Sequence, residues 1–86
     1  MHSVELLREA IDLAKQLGYA LRQDWLGGSG GGACEIRGRK VLFLDVASGP
    51  ADQLDQVLDA LVRDPKALEL PMSAALQGML RVRRSA

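Results

Sequence analysis

Few side chains in this sequence could do chemistry, and their types and spacing decide how far each one goes. Cys34 is the single cysteine among 86 residues. A thiol becomes a nucleophile when a nearby base or cation lowers its pKa, and the one histidine, His2, stands at the far end of the chain. Cys34 therefore reads as a buried structural thiol. One Cys and one His also fall short of a tetrahedral zinc site, so neither metal nor cofactor is expected. Asp55 and Asp59 lie one helical turn apart, but beside Asp52 and Gln56 they describe a solvated helix face. The tract Gly27-Gly28-Ser29-Gly30-Gly31-Gly32 could cradle an anion with successive backbone N–H groups. A phosphate loop, however, ends in Gly-Lys-Ser/Thr and opens a helix; this one leads into a strand with no lysine following. It reads instead as a hairpin connection, or as backbone that a partner approaches closely, with Gly28, Gly30 and Gly31 as candidate contacts. Arg37, Arg39 and Lys40 cluster at one turn and complete the candidate partner-binding set.

The elements that must position these residues follow from periodicity. Ser3 can cap a helix over 4–17, whose apolar residues form two adjoining rows: Val4, Leu7, Ile11, Ala14 and Leu6, Ala10, Leu13, Leu17. An arc that wide exceeds what one small sheet needs and points to self-association. Gly18 fits a left-handed cap. Residues 19–26 read as an edge strand with Tyr19, Leu21 and Trp25 on one face and Arg22 and Asp24 on the other. Residues 33–37 read as a second strand, Cys34 and Ile36 inward, turning at Gly38 into a third. That third strand, 41–46, is apolar almost throughout and reads as buried on both faces, hence central. The first strand is then parallel to it, unless the glycine tract makes a tight return and the sheet is a meander. Pro50 at the first helical position starts a helix to about Arg63, with Leu54, Val57, Leu58, Leu61 and Val62 at helical spacing. Pro65 reads as the start of one further turn through Glu69. Ser73 caps a short helix bearing Leu76, Met79 and Leu80, and 81–86 reads as a frayed tail.

Length and composition set the bounds. The chain is one small domain over 1–86, and a domain this size buries only about 60–65% of its unfolded surface. Trp25, Tyr19 and Phe43 are the only aromatics, so the core must be aliphatic. Eleven basic and eleven acidic side chains cancel, which argues against a dedicated nucleic-acid binder. The lone cysteine and the lack of a leader or a membrane-length apolar run give the expectation of a soluble, cytoplasmic protein.

The order of elements carries a resemblance. A helix, a strand after Leu17-Gly18-Tyr19, the hairpin from Gly32-Ala33-Cys34-Glu35-Ile36 to Val41-Leu42-Phe43-Leu44-Asp45, and a Ser-x-Pro helix start resemble the core of the small bacterial zinc peptidases of the ImmA/IrrE kind. In that family the helix after the hairpin carries His-Glu-Leu-Gly-His: the histidines bind zinc and the glutamate is the general base. With the family's leucine laid on Leu61, this chain reads Asp59-Ala60-Leu61-Val62-Arg63, so both ligand positions and the base are replaced. The resemblance implies a zincin-like scaffold without its metal, whose sheet edge could still hold an extended peptide. The fold expected is α+β: a helix, three strands, one long helix and short C-terminal helices, with the first two helices covering one sheet face. The function expected is a small non-catalytic interaction module that binds itself or another protein. The alternatives are a metal-dependent hydrolase relic, or an RNA-associated protein using Arg37, Arg39, Lys40 and the arginines of 81–84.

Overall fold

The computed structural model describes residues 3–28 and 31–85. Its elements run α1 (Ser3–Gln16), β1 (Ala20–Asp24), β2 (Gly32–Ile36), β3 (Arg39–Asp45), α2 (Pro50–Leu61), a 3-10 turn (Ala67–Glu69) and α3 (Ala74–Ser85). The class is α+β, as the sequence predicts. The sheet order is β1-β3-β2, with β1 parallel and β2 antiparallel to β3, so the most apolar strand is central.

Both helices lie on one face of the sheet. Leu42 and Leu44 of β3 point into a core made with Leu13, Leu54, Val57 and Leu61. α1 packs most extensively on α2, and Ala10, Ala14 and Ala60, all buried, allow the two backbones to approach closely. The wide apolar arc of α1 is largely used inside the molecule. Leu7 and Leu13 are buried, Leu6, Ile11 and Leu17 pack partly buried against the core, and only Val4 of the two rows stays half-exposed. The expected surplus was an overestimate because α2 and α3 cover what a sheet alone would leave wet.

The last helix does more than a short, fraying one could. α3 continues through Arg81–Ser85, where a frayed tail was expected. Leu76 and Leu80 are fully buried, and Arg83 bonds Asp55 of α2. At the other end, Ser73 Oγ accepts from Leu76 N at 3.2 Å, the capping bond expected of it. Glu9 of α1 accepts from Ser73 N at 2.6 Å and from Ser73 Oγ at 2.7 Å. A carboxylate from the first helix thus holds the positive end of the last.

Among the described residues no helix packs on the sheet's other face, so the expectation that β3 is buried on both sides holds there only in part: Val41 and Asp45 are buried and Phe43 is not. Phe43 is half-buried. The register places Cys34 opposite Val41 and Ile36 opposite Arg39. Since Leu42 and Leu44 point to the helices, strand alternation turns Cys34 and Ile36 away from them. Both were expected inward; Cys34 is exposed and Ile36 is 47% exposed, while Ala33 takes the core-facing place. Trp25, expected within the first strand on the face of Tyr19 and Leu21, lies past the end of β1 and is 74% exposed.

Alternation likewise moves Lys40 to the helix side. Its Nζ donates to Leu17 O at 2.9 Å and to Asp64 at 3.1 Å, and lies 4.9 Å from the Tyr19 ring centroid. One cation therefore joins β3, the end of α1 and the segment after α2. Asp64 also accepts from Lys66 N at 2.9 Å. That bond first, with the Lys40 bond and partly offset by burial, holds its carboxyl below the ordinary 3.8. A carboxylate with a depressed folded-state pKa contributes stability that is present above the unfolded value and is lost as pH falls through the folded one. Between about pH 5 and pH 2, denaturant titrations should show the native chain losing more stability than Asp64→Asn, the two curves converging at the acid end. Parallel curves would show that Asp64 contributes nothing to acid sensitivity.

Candidate functional site

The glycine tract owes its position to topology. β1 and β3 run parallel and so end at the same edge of the sheet, while β2 starts there on the far side of β3. The connection must cross the end of β3, a span of about 10 Å for two strand spacings. Asp45 fixes the crossing. Its side chain is fully buried, and Oδ1 accepts from Leu26 N at 3.0 Å and Ala47 N at 2.9 Å. Gln56 of α2 accepts from Asp45 N at 3.2 Å, taking a backbone donor beyond the end of β2.

Of the glycines singled out in the sequence, Gly28 lies in a turn with φ 81 and is exposed. Gly30 lies outside the described residues. Gly31 is where the backbones come close: a Cβ there would collide with the Phe43 carbonyl oxygen, 2.7 Å from its carbon and 2.8 Å from Gln56 Oε1. The close approach the composition signals is therefore met within the chain itself.

The positions aligned with a zinc motif hold a different arrangement. Arg63 Nη2 pairs with Asp59 Oδ2 at 3.4 Å on the exposed side of α2, and Ala60 is buried in the core. Among the described residues no three His, Cys, Asp or Glu side chains gather as metal ligands.

The basic turn divides. Arg37 and Gly38 form a two-residue hairpin loop with φ 52 and φ 79, both in the left-handed region. Such a loop favours Asn-Gly, so Arg37 carries a conformational cost of about 1 kcal/mol. Lys40 leaves the set for the helix side, where alternation sends it. Arg37 and Arg39 stay, and Arg22 joins them from β1. Arg22 follows Leu21 on the strand, so it shares the open face with Ala20 and Val41. Together Ala20, Arg22, Ile36, Arg37, Arg39 and Val41 line a hollow of about 410 Å³. The lining combines three aliphatic residues with three arginines, none of them ion-paired among the described residues. Arg22 was read in the sequence as pointing away from the apolar face of its strand. Its neighbours could not be read, because they depend on which strand pairs with which.

No family model matches the chain, and no curated protein or solved structure matches it either. Among the described residues no helix is long and apolar enough to cross a membrane.

Proposed function

We propose that this chain is a small non-catalytic interaction module that receives an extended polypeptide segment along the edge of its sheet. The supporting observation is a three-stranded sheet with two unpaired outer strands, one of them poorly guarded. β1 is protected in the usual way, by Arg22, Gln23 and Asp24. β2 reads Gly-Ala-Cys-Glu-Ile, small side chains with a single charge. Ile36 and Arg39 close a two-residue loop, so by antiparallel alternation Ile36 and Cys34 turn their backbone groups to β3. Ala33 and Glu35 then face outward with a free donor and acceptor each. An added strand would pair there, as in other β-augmentation.

Glu35→Pro tests this. Proline removes the outward donor at 35 and leaves the hairpin ladder intact. Extended peptides selected on the immobilised full chain should bind Glu35→Pro about tenfold more weakly, the effect of one or two lost backbone hydrogen bonds, with the circular dichroism spectrum unchanged. Sedimentation supplies the second arm: a dimer that Glu35→Pro dissociates would make the added strand a second copy's β2. Equal peptide binding by the variant, or no peptide binding and a monomer at high concentration, would overturn the proposal.

A further inference from the structure

We infer that the segment received is β2 of a second copy, the two strands pairing antiparallel about a twofold axis at Cys34; this rests on the edge-binding reading above. The strand's own geometry selects the register. The backbone groups free to pair are those of Ala33 and Glu35, and they lie symmetrically about residue 34. An antiparallel partner must set outward groups against outward groups, so a slip of one residue meets groups that β3 already uses. Pairing Glu35 with the partner's Glu35 opposes like charges, which is destabilising, and brings Ala33 against the hairpin loop at Arg37. Pairing Ala33 with the partner's Ala33 sends Glu35 to the partner's Gly31, which precedes the strand and presses on Phe43. The axis at Cys34 does neither. It aligns all five residues of β2, 32 with 36 and 33 with 35, and each Ala33–Glu35 pair exchanges both backbone hydrogen bonds.

The side chains fit the same register. On the open face the half-exposed Ile36 comes to lie beside the partner's Gly32, which has no side chain to obstruct it. On the helix face Glu35, the strand's single charge, meets the partner's Ala33 and has Lys40 opposite it on β3. Acidic and basic side chains cancel over the chain, so no net charge repels a second copy. The axis stands perpendicular to the sheet, so the helices of both copies share one face and the three-stranded sheet becomes one of six. One short strand a side is smaller than the standard protein interface, so the dimer is a weak one.

The test uses the chain's single cysteine as a ruler. In this register the two Cys34 residues form a non-hydrogen-bonded pair with Cα atoms about 4.5 Å apart, inside the roughly 4.4–6.8 Å that a disulfide spans. Diamide, which takes up the two protons and two electrons the thiols lose, should link the native chain into a disulfide dimer. Cys34→Ser/Ile36→Cys carries its thiol on the same open face of the same strand, but about 14 Å from its counterpart along the pair. It should link roughly tenfold more slowly. Glu35→Pro removes a donor from each copy, so it should slow linkage through Cys34 and weaken the dimer in sedimentation by about tenfold, with the circular dichroism spectrum unchanged. Equal linkage at positions 34 and 36 overturns the inference, whether or not the proline variant folds. A monomer at about millimolar concentration overturns it too. The edge reading then stands if selected peptides bind the native chain more tightly than Glu35→Pro, and falls with the inference if none binds.

Discussion

Asp45→Ala should lower the unfolding free energy by about 3 kcal/mol, because it removes the buried side-chain oxygen that accepts from the Leu26 and Ala47 amides. A typical hydrogen bond contributes about 0.5–1.5 kcal/mol net, and a buried donor left unsatisfied costs about 1–3 kcal/mol. Both donors are partly buried and the carboxylate is fully so. A chain of this length holds roughly 4–13 kcal/mol in total, so the loss is a large fraction. In a thermal melt it corresponds to a fall of about 12–24 °C. Asp45→Asn keeps an acceptor oxygen at the same place and should recover most of the loss. If alanine and asparagine behave alike, the crossing is held by something other than Oδ1.

Gly31→Ala should cost about as much, for an unrelated reason. The substituted methyl meets the Phe43 carbonyl, which is strand backbone and cannot rotate aside as a long side chain could. Forcing extra volume into a closed contact costs about 1–3 kcal/mol, and more where backbone must shift. β2 would have to move off β3 or Gln56 release the Asp45 amide. Gly28→Ala is the control: nothing lies within 4 Å of a Cβ there, so only its positive φ opposes the change, a penalty of about 1 kcal/mol. Denaturant midpoints for the two variants separate packing from backbone conformation. Equal losses would remove Gly31 from the packing of the sheet.

Much of the architecture was legible because periodicity states it. The spacing of Leu54, Val57, Leu58 and Leu61 fixes the buried face of α2, and Pro50 fixes its start. The facing of β2 was not legible. Val41-Leu42-Phe43-Leu44 is apolar at every position, so it carries no alternation from which to decide which residues meet the helices. Either parity was consistent with the sequence, and the wrong one sent Cys34 and Ile36 inward. The same ambiguity put Lys40 with Arg37 and Arg39, although consecutive residues of a strand cannot share a face. Arg22 was missed as a member of the site because its companions come from a register that two edge strands establish only after folding. The glycine tract was recognisable as unusual. That one of its members presses on Phe43 follows from a crossing that composition does not describe.

The clasp between Glu9 and Ser73 spans 64 positions, which has a consequence during synthesis. The chain leaves the ribosome first helix first, so Glu9 is in place long before Ser73 emerges to meet it. Until then Leu76 and Leu80 are not there to seal their side of the core, and α1 and α2 present wet aliphatic surface. Translation that halts before Ser73 yields a nascent fragment that quality-control proteases and holding chaperones can distinguish from the finished molecule by that surface alone.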